Sequence, residues 1–168
     1  MISYRDATPA DLPAVDALFR RSFAATFGDL YAPDDLAAFF AGFTPEAWAA
    51  ELAQPDLAIR LAEGERALLG FAKVSDVTLP IPDSGRALEL RQLYLDEATK
   101  GTGVADTLMA WVIDMARGRD ATSIVLSVFS DNQRARRFYA RYGFEYVQLY
   151  RFMVGGHADE DHILRLAL

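Results

Sequence analysis

The chain has 168 residues, 52% of them hydrophobic and 24% charged, which suits one domain around one core and argues against disorder. It has no cysteine, so disulfide scaffolds, thiolate metal sites and cysteine nucleophiles are excluded, and a reducing cytoplasm is compatible. The formal net charge of −7 disfavours nucleic acid and anionic membranes as partners and mildly favours a cationic substrate, although solubility alone also accounts for it.

The opening residues Met1 to Asp6 lack the apolar stretch of a signal peptide. No segment approaches the ~20 apolar residues that span a bilayer, so the expected location is the cytoplasm. Ile2 to Arg5 reads as a short strand. Thr8-Pro9-Ala10-Asp11 then carries the signs of a helix start: a capping hydroxyl, a proline for the first position and an acid in the first turn. Leu12, Val15, Leu18, Phe19 and Phe23 follow at helical spacing. Pro33-Asp34-Asp35 opens a second helix with Leu36, Phe39, Phe40 and Phe43 on its apolar side, and Thr44-Pro45-Glu46 opens a third carrying Trp48 and Leu52. Leu57 to Ala62 and Arg66 to Val77 read as a hairpin turned at Glu63-Gly64-Glu65.

A loop with Pro80, Pro82 and Gly85 precedes a strand from Ala87 to Leu95. Gly103 to Arg117 is helical, and Thr122 to Phe129 is a nearly all-apolar strand of the kind covered on both faces. Asp131 to Tyr142 is a helix closed by Gly143. Two last strands, Phe144 to Val154 and His162 to Leu168, are joined through Gly155-Gly156, leaving Asp159, Glu160 and Asp161 as solvated turn acids. The order predicts a single α/β (α+β) domain over residues 1–168, with a mixed central sheet of about seven strands and helices on both faces.

The segment from Leu93 to Ala105 runs a strand into a Gly-x-Gly turn, Gly101-Thr102-Gly103, that opens a helix. Glycines admit a ligand close to the backbone, and the first amides of a helix are free to bind an anion such as a pyrophosphate. A plain tight turn fits as well. About thirty residues on, Asn132-Gln133-Arg134-Ala135, Phe138-Tyr139 and Gly143-Phe144 follow a strand. This second segment resembles the Asn-x-x-Ala, Phe-Tyr, Gly-Phe signature of the GNAT N-acetyltransferases. The turn from Lys100 to Ala105 resembles their Gln/Arg-x-x-Gly-x-Gly/Ala signature, with Lys100 where Gln or Arg is usual. Ser22 to Phe27, Phe152 to Gly156 and Asp161 look most like the PaiA-type spermidine/spermine N-acetyltransferases.

The resemblance implies direct transfer of acetyl from acetyl-CoA to a primary amine, with a polyamine or other small amine as acceptor. A protein or peptide amine, or a non-catalytic CoA-binding module, are the alternatives. It implies that the amides from Thr102 to Ala105, Val104 included, grip the pyrophosphate. It further implies that Leu93, Tyr94 and Leu95 pair with the pantetheine arm, with one of their amides on the thioester oxygen. Lys100, Gly101, Gly103 and Phe138 join the cofactor site. Asn132 either contacts the cofactor or caps its own helix, and Arg141 either reaches a CoA phosphate or is a solvated surface residue. Asp106 is expected to point away from the phosphates. Phe27, Asp29 and Tyr31 lie where the family builds its acceptor pocket. No metal is expected, and a homodimer through the last strands follows by analogy.

An alkylammonium must lose a proton before it attacks. At ~1.36 kcal/mol per pKa unit this costs roughly 4–5 kcal/mol at pH 7. Glu89, eleven residues before Lys100, matches the basic glutamate of histone-type members, with a structural Glu89–Arg91 ion pair as the competing reading. Strand alternation puts Glu89 on one face with Arg91, Leu93 and Leu95. Tyr139 matches the family's general-acid tyrosine, which reprotonates the departing thiolate. Its competing reading is a core tyrosine.

Overall fold

The structure, a computed structural model, describes residues 1–82 and 85–168. The loop expected around Pro80, Pro82 and Gly85 lies partly outside them. The strands are β1 (Ser3–Asp6), β2 (Ala58–Glu63), β3 (Leu68–Asp76), β4 (Ala87–Leu95), β5 (Ser123–Phe129), β6 (Glu145–Val154) and β7 (His157–Ala167). The helices are α1 (Leu12–Phe27), α2 (Pro33–Ala41), α3 (Pro45–Leu52), α4 (Val104–Gly118) and α5 (Gln133–Tyr142). The strands form one sheet in the order β1-β2-β3-β4-β5-β7-β6. Neighbours are antiparallel except β4 and β5, which are parallel.

Helix ends follow local chemistry. Thr44 accepts from the Ala47 amide at 3.1 Å to start α3, and Asn132 Oδ1 accepts from the Ala135 amide at 3.2 Å to start α5. Gly143, at φ 92°, closes α5 in the left-handed region.

Each sheet face carries its own core. α4 and α5 cover one face, where Leu108, Val112 and Tyr139 meet Leu88, Leu90, Ile124 and Leu126. α1, α2 and α3 cover the other with an aromatic cluster centred on Phe19, whose ring lies 4.6 Å from Phe43 and 5.2 Å from Tyr94. The apolar stripe read from the sequence of α1 is the stripe that is buried. Ser22 Oγ donates to the Leu95 carbonyl at 3.0 Å, tying α1 to the end of β4.

Two features depart from the sequence reading. β7 begins at His157, five residues earlier than predicted. Aspartates are depleted from strands and read as turn formers. Here, however, Gly155-Gly156 turns the chain tightly, and Asp159, Asp161 and Ile163 alternate inward along β7. The hairpin turn sits against α2. Gly156 N donates to Asp35 Oδ1 at 2.8 Å, and a side chain on Gly155 (φ +57°) would come within 2.6 Å of the Asp35 Cα. Asp35 is therefore a pin between elements.

The second departure is a β-bulge. Gln92 pairs with Lys73 and Leu90 with Val74, so Arg91 is the extra residue of β4. The bulge resets the alternation: Leu88 and Leu90 before it share the α4–α5 face with Leu93 and Leu95 after it. Glu89 lies on the opposite face, not with Leu93 and Leu95 as strict alternation predicts. Among the described residues, no helix is long and apolar enough to cross a membrane.

Phe19 is 1% exposed at the centre of the aromatic cluster. Phe19→Ala is expected to lower unfolding free energy by about 3–5 kcal/mol, read as a shift in the urea midpoint.

Candidate active site

Between β4 and β5 the sheet opens. Their parallel pairing covers Ala87–Glu89 against Ser123–Val125. Beyond it, β4 bends at the Arg91 bulge and keeps its pairing with β3. The stretch from Leu90 to Leu95 thus turns an unpaired edge toward β5, with backbone groups available to a ligand. A cleft of about 1090 Å³ occupies the opening and continues to both faces of the sheet.

On one side of the opening stands the start of α4. Gly101 and Gly103 have φ of 82° and 88°, a conformation that favours glycine, and nothing lies within 4 Å of where a side chain would be. The turn is thus open above its backbone. Thr102 N donates to the Thr99 carbonyl at 3.2 Å, and its hydroxyl donates to the same oxygen at 2.6 Å. The Thr102 amide is therefore already committed, which corrects the expectation that it grips a phosphate. The amides that begin α4 lack partners one turn back, as in any helix.

α5 forms the facing wall. Arg134, Arg137 and Arg141 line the cleft with Lys100, a cationic lining in a chain of net charge −7. Arg141 Nη2 also donates to Asp106 Oδ1 at 3.2 Å and its guanidinium lies 5.4 Å from the Phe138 ring centre. Tyr142 donates to the same Asp106 oxygen at 2.6 Å. Asp106 thereby lines the cleft against its α5 wall, its charge offset by Arg141, and does not point away as the sequence reading expects. Lys100 Nζ bonds Glu97 Oε2 at 2.5 Å. Tyr139 is buried and lines the cleft, and burial raises its phenol pKa, so the hydroxyl keeps its proton at neutral pH.

On the α1–α2 face the lining changes sign. Asp159 and Asp161 are 5% and 6% exposed. The Tyr31 hydroxyl donates to Asp159 Oδ2 in a short hydrogen bond, and His157 Nε2 lies 3.2 Å from Asp159 Oδ1. Burial, and then the Asp159 hydrogen bond, raise the Tyr31 pKa. Ser127 lines the cleft with Asp161, two residues before the Phe129 that pairs with it. The Asp161 carboxyl is pushed up to about 7 by burial and by the neighbouring Asp159 charge, with the Ser127 hydroxyl opposing this. The Tyr94 hydroxyl, raised chiefly by burial, is within electrostatic reach of both Tyr139 and Asp161. The two sides of the opening therefore meet at Tyr94. Phe27 packs 5.0 Å from Phe23 and 6.1 Å from Phe129, above the cleft.

Glu89 lies in the same cleft but is heavily bonded. Its Oε2 accepts from Thr78 N at 2.5 Å, Thr78 Oγ1 at 3.0 Å and Leu79 N at 3.2 Å, while Oε1 sits 3.7 Å from Arg91 Nε. The ion pair with Arg91 is thus present. Beside it, Lys73 is 2% exposed, donates to Glu51 at 2.6 Å and lies 4.7 Å from the Trp48 ring centre. Burial pushes the Lys73 pKa down.

Of the residues singled out in the sequence, Phe27, Tyr31, Glu89, Leu93, Tyr94 and Leu95 line the cleft, as do Lys100, Gly101, Gly103 and Ala105. Asn132, Phe138, Tyr139 and Arg141 line it from α5 and the turn before it. Thr102, Val104 and Asp29 do not. Val104 points into the core, and Asp29 is exposed in the turn after α1. Asn132 caps its helix while also lining the cleft. Sequence reading gives neither Asp159 nor Asp161 a place in the site, although Asp161 enters the PaiA-type resemblance. The signal available was the spacing Asp159, Asp161, Ile163, which alternates once β7 is extended back to His157.

Comparison with known proteins identifies the family to which this fold and cleft belong. The acetyltransferase (GNAT) family model matches residues 13–144. An uncharacterized N-acetyltransferase of Mycobacterium bovis is 32% identical over 155 residues, covering 92% of this chain and 96% of that protein. Another, from Lactobacillus delbrueckii subsp. lactis, is 27% identical over 161 residues, covering 94% and 92%. Among solved structures, the PaiA N-acetyltransferase of Thermoplasma acidophilum in complex with coenzyme A superposes with a TM-score of 0.84 at 18% identity, covering 100% of this chain and 99% of that one. The chain belongs to the GNAT family of acetyltransferases.

The raised Asp161 carboxyl has a stability consequence. An unfolded aspartate titrates near ~3.9, so between there and about 7 the folded chain binds more protons than the unfolded one. Stability from this group is therefore lost as pH rises through that window. Asp161→Asn is expected to be more stable than wild type at pH 8 and to lose most of that advantage at pH 4.5, read as the difference in thermal midpoints.

Proposed function

We propose that this chain transfers acetyl from acetyl-CoA directly to a primary amine of a small, cationic acceptor, a polyamine among the candidates. The reading is carried by the opening between β4 and β5, with arginines and a protonated phenol on the α5 side and two buried carboxylates on the α1–α2 side. The donor supplies an acyl group activated as a thioester.

The residues fit that donor. The free edge of β4 from Leu90 to Leu95 offers backbone partners to an amide-bearing arm, and the open Gly101–Gly103 turn offers the first amides of α4 to a diphosphate. Arg134, Arg137 and Lys100 add positive charge. Tyr139 holds a proton inside the cleft, where a leaving sulfur needs one. Glu89 anchors the chain after β3 through Thr78 and Leu79.

The acceptor side supports a small amine. Its carboxylates lie buried behind Tyr31, and the Asp35–Gly156 contact holds the α2 start against the β6–β7 turn. The buried acids on this side of the cleft suit a small cation.

The test is thiol release from acetyl-CoA with a panel of diamines, polyamines, monoamines and peptides bearing a free amine. Turnover is expected with diamines or polyamines ahead of peptides. Tyr139→Phe is expected to lower kcat by about 10²–10³-fold while CoA affinity stays within about twofold. CoA binding without turnover of any amine, and no effect of Tyr139→Phe, would place the chain among non-catalytic CoA binders instead.

A further inference from the structure

Resting on the acetyl-transfer reading above, we infer that Asp161 on β7 is the group that accepts the proton of the acceptor ammonium, and that Ser127 on β5 sets the readiness of its carboxylate.

Among the described residues five carboxylates line the cleft, and their bonding separates them. Glu51 is held by Lys73 and Arg91, and Asp106 by Arg141 and Tyr142. Glu89 spends one oxygen on three donors and turns the other to Arg91, so both of its oxygens are engaged within the protein. Asp159 spends one oxygen on the Tyr31 hydroxyl and the other on His157. Asp161 has neither an arginine nor a histidine of the described residues on its oxygens and faces the cleft from a buried position, with Ser127 of β5 lining the same cleft two residues before its register partner Phe129.

Position argues the same way. In the sheet register Phe129, Asp161 and Tyr150 stand side by side across β5, β7 and β6, on the face where Phe129 meets Phe27. This is the acceptor face, and Asp161 lies opposite the end of β5, past the point where β4 has left it. The ionisable groups around it are Asp159 and His157 on its own strand, Tyr150 on β6, Tyr94 on β4, Tyr31 ahead of α2, and Tyr139 across the opening. Burial and the Asp159 charge bring the carboxyl up toward neutrality, closer to the pKa of the amine it must deprotonate.

Asp161 accepts one proton from the ammonium, leaving a neutral amine whose lone pair forms the C–N bond to the acyl carbon. Tyr139 gives its proton to sulfur as the C–S bond breaks and the electron pair moves onto it. The second proton shed by nitrogen refills the phenol, and Asp161 releases its own to solvent. The sum is ammonium plus thioester giving amide, thiol and one proton.

The test is the pH profile of kcat/KM, with acetyl-CoA and the best amine of the panel, for wild type and variants, alongside calorimetric CoA affinity. Asp161→Asn is expected to lose about 10²-fold or more in kcat and to lose the acid limb, with CoA affinity within about twofold. Asp161→Glu is expected to recover part of kcat, and Glu89→Gln to keep the acid limb at the wild-type pH. Ser127→Ala removes the neighbouring hydroxyl that opposes the rise of the Asp161 carboxyl, so its acid limb is expected at higher pH. This variant carries the test if Asp161→Asn fails to fold. An Asp161→Asn enzyme that keeps kcat and the acid limb and shows only a raised amine KM overturns the inference, as does an unshifted Ser127→Ala profile. A wild type that binds CoA but turns over no amine overturns the acetyl-transfer reading and this inference together.

Discussion

The one-residue bulge at Arg91 is the constraint on which the rest of the structure depends. It lets β4 stay paired with β3 to Leu95 while leaving β5 after Glu89. A regular β4 would continue its parallel ladder and close the sheet, and the cleft would not exist. Bulges bend strands and interrupt ladders, and here the bend turns sheet edge into binding surface. The same bulge decides which side chains face which way. Leu93 and Leu95 return to the α4 core, whereas Glu89 stays on the other face with its loop and with Arg91.

The opening joins two environments that differ in charge. Arginines of α5 and the left-handed glycine turn stand on one side. Two buried aspartates stand on the other. Burying carboxylates side by side costs free energy, and a sequence seldom keeps that cost without a role for it. Tyr31 and His157 satisfy part of the hydrogen-bonding need at Asp159. What remains uncompensated is the raised proton affinity of Asp161. The aromatic cluster around Phe19 and the Asp35–Gly156 contact supply rigidity to that side, since they fix α1 and α2 over the hairpin that carries the acids.

Much of the fold was legible because its signals are local. The stripe of α1, the asparagine cap of α5 and the glycine turn before α4 are each written in a few adjacent residues, and each was found where expected. The order of elements then defined a mixed sheet. Side chains that depend on register were harder. Nothing in the residues from Leu88 to Leu93 announces a bulge, so strict alternation put Glu89 on the wrong face. The acids from Asp159 to Asp161 were taken for a solvated turn, because composition argues against a strand there and only pairing with β5 and β6 makes it one. Asp106 lines the cleft instead of pointing away from it, because Arg141 and Tyr142, 35 and 36 residues away, hold it there, a contact no local pattern reveals.

The central claim is that the gap between β4 and β5, with the turn at Gly101–Gly103, is a seat for a pantetheine diphosphate carrier. Calorimetric titration of the purified chain with CoA addresses it directly. The account predicts saturable binding at one site per chain. Absence of any binding heat, together with an unfolding temperature that excess CoA leaves unchanged, would contradict it.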